Sequence, residues 1–253
     1  MILYETGSGR ATITLNEPER RNPLSTEVMK ELVVATRKGL DDPEVRVLVF
    51  TGAGDQAFSA GGDLSAGFVD DPLGRHNERG AFADLFRLMA RGGKPTVARV
   101  NGHALAGGFG LAVACDITIC VDDAKLGTTE VKVGLWPMMI SAVLLQTIPR
   151  KAVLEMMLTG RLIDAEEAQR LGAVSRVVPR DQLDAAVDEV VSGLVASSPS
   201  SYLLGKDALA SMADLPFDVA LDRLQTGLTE IAMTDDVREG ISAFQEKRPP
   251  NWG

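Results

Sequence analysis

Cysteine, histidine and the larger aromatic residues are scarce in this chain of 253 residues, which has two cysteines, two histidines, two tryptophans and two tyrosines. The cysteines, Cys115 and Cys120, are too few for a disulfide framework, and they form no recognisable zinc-binding spacing with the histidines. We therefore expect two buried thiols in a reducing compartment, and no metal site.

Basic residues are also fewer than acidic ones. The chain has 26 lysine and arginine residues against 35 aspartate and glutamate residues, which gives a formal net charge of -9. This balance argues against nucleic acid or an anionic membrane surface as the main partner. RNA binding gains no support either, because the sequence has no basic patch rich in aromatic residues.

Long apolar runs are missing too, since no stretch approaches the roughly 20 residues that a membrane-spanning helix needs. Glu5 stands early in the chain and no basic segment leads into an apolar one, so we expect no secretory signal. Because 45% of the residues are hydrophobic, the chain can bury a substantial core as one large domain or two. The composition predicts a soluble, cytoplasmic protein.

Glycine is plentiful, and two glycine-rich turns are the most informative feature of the sequence. They read Phe58-Ser-Ala-Gly-Gly-Asp63 and Asn101-Gly-His-Ala-Leu-Ala-Gly-Gly-Phe-Gly110, and each follows a short apolar run with strand character. Neither has the spacing of a P-loop or of a dinucleotide-binding turn. Glycine lets a backbone approach a ligand closely, and free N–H groups at a helix start can bind a developing negative charge. Two such turns brought together would form an oxyanion hole.

These turns, in this order, resemble those of the crotonase family, also called enoyl-CoA hydratase/isomerase. The resemblance extends through nearly the whole chain, from Leu15-Asn-Glu-Pro18 to Glu239-Gly-Ile-Ser-Ala-Phe-Gln-Glu-Lys-Arg-Pro249. Between these ends, the matching segments include Asn22-Pro-Leu24, Ala114-Cys-Asp116, Lys125-Leu-Gly127 followed by Glu130, Leu158-Thr-Gly160 and Val177-Val-Pro179.

The order of strand and helix signals agrees with the fold that the resemblance implies, an α/β spiral of ββα units. We predict strands at 2–5, 11–15, 45–51 and 96–100, and helices at 26–40, 77–90, 111–115, 151–158, 165–171, 180–196 and 202–212. The serine-rich segment 197–201 predicts a boundary between an α/β core, 1–196, and a helical region, 197–253. The resemblance implies that this helical region serves assembly into a homotrimer or a dimer of trimers.

The resemblance also assigns the catalytic groups. It places the oxyanion donors on the backbone N–H groups of Gly62 and Gly107. The family's hydratases add two glutamates, of which the second matches Glu130, whereas the first position is Gly110 here. A lone carboxylate has to act as both acid and base. We expect the apolar segment around Trp136 to raise the pKa of Glu130 toward neutrality.

Three functions stay open at this point. One carboxylate could remove a proton α to the thioester and return it at the γ carbon, which is double-bond isomerisation. It could also deprotonate water and then protonate carbon, which is hydration. The third possibility is an acyl-CoA-binding homologue with little activity, because the first family glutamate is Gly110. Asp70, Asp71 and Glu78 are weaker candidates for a substitute acid.

The resemblance finally implies contacts with the CoA part of an acyl-CoA substrate, and no separate cofactor. Backbone near the first glycine turn and a basic residue at Arg20 or Arg21 would bind CoA, while two C-terminal residues would reach a CoA on the adjacent subunit. The acyl pocket would be lined from 64 to 86 and from 136 to 144. The predicted substrate and CoA residues are Arg21, Ala60, Gly61, Asp63 (as a turn partner), Leu64, Trp136, Phe244 and Lys247.

Overall fold

The computed structural model describes residues 1–64, 73 and 76–252, and within them the chain forms twelve strands and ten α-helices. The strands are β1 (Ile2–Gly7), β2 (Arg10–Leu15), β3 (Pro23–Leu24), β4 (Val47–Gly52), β5 (Ala57–Ser59), β6 (Gly61–Gly62), β7 (Thr96–Val100), β8 (His103–Leu105), β9 (Ile117–Val121), β10 (Lys125–Gly127), β11 (Ile163–Asp164) and β12 (Arg176–Val178). The helices are α1 (Thr26–Asp41), α2 (His76–Arg91), α3 (Gly107–Ala114), α4 (Ser141–Thr147), α5 (Arg150–Thr159), α6 (Ala165–Arg170), α7 (Leu183–Val195), α8 (Pro199–Met212), α9 (Phe217–Ala232) and α10 (Asp235–Glu246).

The larger sheet has six strands in the order β1-β2-β4-β7-β9-β12. β1 and β2 form an antiparallel hairpin, and the remaining neighbours pair in parallel. Every residue of β4 is buried, as expected for a parallel strand covered on both faces. Helix α1 packs on β1, β2 and β4, and α7 packs on β4, β7 and β9.

Successive units of the chain contribute one strand to each of two sheets. β4, β7 and β9 lie in the larger sheet, and the strand that follows each of them, β5, β8 and β10, lies in a smaller sheet of order β11-β10-β8-β5. α2 and α3 follow the first two of these strand pairs. The predicted spiral of ββα units is therefore confirmed.

The start of α1 follows from its sequence. Ser25 takes extended backbone angles, and its side-chain oxygen accepts a hydrogen bond from the Val28 N–H at 3.2 Å, which makes it the N-cap of the helix. The helix then buries Val28, Leu32 and Ala35, which recur at helical spacing on one face.

The C-terminal helices pack on one another, and α8 also contacts α2. α8 begins at Pro199, a turn earlier than predicted, because Ser198 caps it by accepting from the Ser201 N–H at 3.1 Å and proline suits the first helical position. The predicted helix at 180–196 divides into a 3-10 turn, Arg180–Gln182, and α7. The boundary at 197–201 stays a prediction.

Both cysteines are buried and unpaired, as predicted. Burial raises the pKa of Cys120 to about 12 and raises the pKa of Cys115 well above its usual range. Among the described residues, no helix is long and apolar enough to cross a bilayer, and no group of three or more histidine, cysteine, aspartate or glutamate residues could hold a metal ion.

Candidate active site

Three strands of the smaller sheet end side by side. β5, β8 and β10 are parallel neighbours, with Ser59 paired to Ala104 and Gly127 paired to Leu105. The segments after these strands therefore emerge at one edge of the sheet, where ligands bind in open α/β folds. They are the first glycine turn, the second glycine turn and the segment that leads to Glu130.

The two glycine turns are in contact. A Cβ atom added to Gly61 would lie 3.2 Å from the backbone nitrogen of Gly107 and 2.7 Å from the Cβ of Ala106. Gly61 has φ +89°, a left-handed conformation that glycine adopts without steric cost. This contact is what the oxyanion-hole prediction requires of the two turns.

The second turn leads directly into α3, four residues earlier than the predicted helix. Glycine is a poor helix former, but α3 approaches β5 so closely that a Cβ on Gly108 would lie 2.6 Å from that of Ser59. As the first residue of α3, Gly107 has an N–H group without an intrahelical acceptor, at the positive end of the helix dipole. A donor is thus available where the prediction places one.

Ala106, the residue before α3, holds a strained conformation at this turn. Its φ of +49° lies in the left-handed region that alanine rarely adopts. The Ala106 N–H donates to the carbonyl of Gly127 at 2.8 Å, which ties the second turn to the end of β10. Strain at functional sites persists where surrounding contacts enforce it, and this hydrogen bond is one such contact.

The space beside Gly107 is lined by hydrocarbon. A Cβ at this position would lie 3.2 Å from Leu24 Cδ1 and 3.2 Å from Phe82 Cε1. A Cβ on Gly62, by contrast, would meet nothing within 4 Å, because Gly62 faces open space. The two predicted donor residues thus differ, since Gly107 lies against apolar side chains and Gly62 faces open space.

Asn22 holds the first glycine turn in place, a role that the sequence did not reveal. It is 1% exposed, and its Nδ2 donates to the carbonyls of Ala53 at 3.0 Å and Ala57 at 2.9 Å. Ser59 Oγ donates to the Asn22 carbonyl at 2.8 Å and accepts from the Gly61 N–H at 3.1 Å. The matching segment Asn22-Pro-Leu24 was the available signal, but it gave no indication of which groups it would bind.

Glu130 opens a short 3-10 turn that follows β10. Its Oε2 is buried without a hydrogen-bond partner among the described residues. Burial raises the pKa of Glu130, and the backbone N–H groups of Glu130 and Thr129 act in the opposite direction without cancelling the shift. Trp136 is 38% exposed, and its expected place beside Glu130 stays a prediction.

Gly110 is buried against Ile140. A Cβ on Gly110 would lie 2.1 Å from Ile140 Cγ2 and 2.5 Å from Ile140 Cβ, so even alanine does not fit unless Ile140 moves. The position that matches the first family glutamate is therefore occupied by an aliphatic side chain from the segment before α4. Sequence spacing gave no signal for this contact.

The predicted CoA residues of the first turn are partly engaged within the protein. Arg21 is exposed, and its carbonyl accepts from the Ala60 N–H at 2.8 Å. Since the Gly61 N–H is bonded to Ser59, CoA contacts at Ala60 and Gly61 would have to use carbonyl oxygens. Asp63 accepts from Arg20 Nη2 at 2.8 Å, and its expected role as a turn partner stays a prediction.

The remaining predicted substrate residues lie apart from the glycine turns or at their margin. Leu64 is 49% exposed at the end of the first described stretch. Phe244 lies on α10 and Lys247 directly after it, both exposed, and α10 packs on α8 and α9. Their expected contact with a neighbouring subunit's CoA stays a prediction.

Of the weaker acid candidates, Asp70 and Asp71 lie outside the described residues, as does part of the predicted acyl pocket. Glu78 lies on α2 and accepts from Lys30 Nζ at 3.0 Å. Asp116 has a structural role, because it binds the start of β7 by accepting from the N–H and Oγ1 of Thr96 at 2.7 and 2.8 Å. Glu130 remains the candidate acid or base at the converging strand ends.

Comparison with known proteins assigns the family. A family model for enoyl-CoA hydratase/isomerase matches residues 5–253. The chain belongs to the enoyl-CoA hydratase/isomerase family. This assignment confirms the resemblance drawn from the sequence and makes the chain an enzyme of that family.

Individual relatives of this enoyl-CoA hydratase/isomerase family member match along nearly their full length. A Thermus thermophilus protein with a provisional enoyl-CoA hydratase assignment is 39% identical over 255 residues, covering 100% of each chain. Carnitinyl-CoA dehydratase of Citrobacter koseri is 35% identical over 245 residues, covering 95% of this chain and 93% of its own. The crystal structure of a Mycobacterium smegmatis enoyl-CoA hydratase superposes with a TM-score of 0.94 at 31% identity, covering 99% and 98% of the two chains.

Proposed function

We propose that this enzyme binds an enoyl-CoA thioester, holds the thioester oxygen between the backbone N–H groups of Gly62 and Gly107, and moves a proton on the acyl chain with Glu130. The observation that carries this proposal is the buried Oε2 of Glu130, which has no hydrogen-bond partner among the described residues and follows β10, the strand whose end is bonded to the second of the two contacting glycine turns. Relatives named for their action on CoA thioesters support the choice of substrate.

The chemistry begins with the polarised thioester. When a proton leaves the carbon next to the carbonyl, charge moves onto the carbonyl oxygen, and each backbone donor stabilises the transition state by about 3–4 kcal/mol. The proton goes to Glu130, whose neutral form burial favours. Returning it to the γ carbon completes an isomerisation. Taking it instead from water, and delivering it to the α carbon after oxygen attacks the β carbon, completes a hydration.

CoA binding on an acidic chain requires local basic groups, since CoA carries several phosphates. Arg21 is exposed beside the first glycine turn, and its guanidinium suits phosphate recognition. In the proposed arrangement the CoA is part of the substrate and no other cofactor takes part. The two free, buried thiols suit a reducing compartment such as the cytoplasm.

We further infer that Phe244 and Lys247 act on a neighbouring subunit within a homotrimer or a dimer of trimers. The C-terminal helices expose large apolar side chains, which favours burial in an assembly. These residues include Leu203, Leu209, Phe217, Leu228, Ile241 and Phe244. Light scattering after size exclusion should give three or six times the chain mass of 27.0 kDa. A monomer at assay concentration would contradict this inference, because no neighbouring subunit would then be present to receive Phe244 and Lys247.

The pH dependence follows from Glu130. The carboxylate has to be ionised to accept a proton, and its pKa lies above the ordinary value of 4.5. We expect kcat/KM to fall by about tenfold per pH unit as the pH drops below this raised pKa. A pH profile of kcat/KM for the wild-type enzyme measures this fall. Constant kcat/KM down to the ordinary pKa of a glutamate would mean that Glu130 is not the base.

A paired assay tests the proposed function. The purified enzyme is given a 3-enoyl-CoA and the matching trans-2-enoyl-CoA in separate reactions, with CoA alone as a binding control. Turnover of either substrate, lost in Glu130→Gln, supports the proposal. Tight binding of both esters without turnover would overturn it in favour of an acyl-CoA-binding protein. Failure to bind either ester would remove the CoA assignment altogether.

A further inference from the structure

The contact between Gly110 and Ile140 makes one side of the proposed site apolar. Ile140 is 2% exposed, and its Cγ2 would lie 2.1 Å from any Cβ at position 110. Gly110 follows Gly107 by three residues in α3, so the two residues lie on the same face of the helix. The contact with Ile140 therefore adjoins the proposed thioester position. An aliphatic group therefore fills the place where a second carboxylate would stand.

The backbone around Ile140 is fixed. The Ile140 carbonyl accepts from the N–H groups of Val143 at 3.1 Å and Leu144 at 2.9 Å, at the start of α4. Ser141 Oγ donates to the carbonyl of Pro137 at 2.5 Å, which closes the turn before the helix. These bonds fix the backbone at the start of α4, from which the Ile140 side chain contacts Gly110.

Hydration and isomerisation differ in what they need at this place. An ordered water requires about two to four polar partners, and an isoleucine side chain against a glycine offers none. Migration of a double bond needs no water, because the α C–H bond breaks, its electron pair moves into the thioester enolate, and the same proton forms a new C–H bond at the γ carbon. The groups that this reaction uses are the backbone donors and Glu130.

We propose that Ile140 is the residue that selects the reaction: by filling the α3 side of the site against Gly110, it denies a position to nucleophilic water and directs the enzyme to double-bond isomerisation. This inference rests on the proposed function, since it specifies which of two reactions Glu130 performs. Ile140 acts by exclusion and exchanges no proton.

The test compares the ratio of hydration to isomerisation in the wild type and in Ile140 variants. Ile140→Ser opens the space and adds a hydroxyl as a polar partner for water, and we expect this ratio to rise by about tenfold, since a positioned water restores part of an acid–base contribution of about 10²–10⁴. Ile148→Ser is the matched control, because Ile148 is also 2% exposed, at the other end of α4. It should leave the ratio unchanged.

A stronger form of the test restores the second carboxylate. Gly110→Glu alone should clash with Ile140, and Gly110→Glu with Ile140→Ala retains a Cβ that would lie 2.5 Å from the new side chain. Only Gly110→Glu with Ile140→Gly removes both contacts, and glycine is tolerated at a helix N-cap. We expect that double variant to hydrate trans-2-enoyl-CoA at least about tenfold faster than the wild type.

The outcomes separate the two proposals. A wild-type enzyme that turns over neither ester overturns the proposed function. A wild type that hydrates faster than it isomerises overturns the role of Ile140 and leaves the proposed function standing. An unchanged ratio in folded Ile140→Ser does the same, whether or not the double variant folds. A ratio that rises in Ile140→Ser and stays constant in Ile148→Ser supports the inference.

Discussion

Replacing Glu130 by glutamine is expected to lower kcat by about 10²–10⁴ while the dissociation constant for an enoyl-CoA changes little. The amide cannot accept the substrate proton, and Asp63, the carboxylate of the first glycine turn, is bonded to Arg20. Glutamine keeps the size and most of the polarity of the side chain, so binding of the CoA part should persist. Steady-state kinetics with calorimetric binding of the substrate measures both effects.

The stability of the same variant provides its control. Burial raises the pKa of Glu130, so the folded protein disfavours its ionised form. The contribution of this group to the free energy of unfolding is therefore fully present below the unfolded pKa and is lost as the pH rises through the folded pKa. Glu130→Gln should then have a higher Tm than the wild type at neutral pH. A lower Tm together with lost binding would indicate a structural glutamate.

Replacing Gly107 by valine is expected to lower kcat/KM by about 10²-fold or more, the loss typical of a missing oxyanion donor. The valine Cβ would lie 3.2 Å from both Leu24 and Phe82, and its methyl groups would enter the space through which the thioester reaches the backbone N–H. The N–H itself would remain, so the loss comes from steric exclusion of the thioester. Michaelis–Menten kinetics on enoyl-CoA measures this effect.

Gly193→Val is the matched control for that substitution. Gly193 also lies in a helix, α7, but an added Cβ there would meet nothing within 4 Å. Circular dichroism and Tm should show both variants folded, with the activity loss confined to Gly107→Val. Wild-type activity in Gly107→Val would mean that the thioester does not approach α3 at this residue.

Much of the fold could be predicted because local signals agree with the tertiary structure. Ser25 caps α1 as its side chain predicts, and the strand preceding the second glycine turn was located at both ends. The two glycine turns predicted backbone donors, and Gly61 of the first turn does contact Gly107 of the second. These features depend on short-range geometry that glycine, serine and alternating apolar residues encode directly.

The residues whose roles could not be predicted from the sequence contact partners that are distant along the chain. Asn22 binds carbonyls of Ala53 and Ala57, and Ile140 fills the space at Gly110. Nothing in the local pattern of either residue indicates its partner, since an asparagine before proline or an isoleucine before a helix has many ordinary roles. The start of α3 was placed too late for a related reason, because close packing against Ser59 outweighs the low helix propensity of glycine.

The most direct measurement follows a deuterium label through one turnover. A 3-enoyl-CoA carrying deuterium at its α carbon is converted by the wild-type enzyme in ordinary water, and the product is analysed by mass spectrometry and NMR. If Glu130 alone removes and returns the proton, a measurable fraction of the 2-enoyl-CoA carries deuterium at the γ carbon. Product with only solvent hydrogen at that carbon, or a hydrated product in its place, would contradict a single shuttling carboxylate.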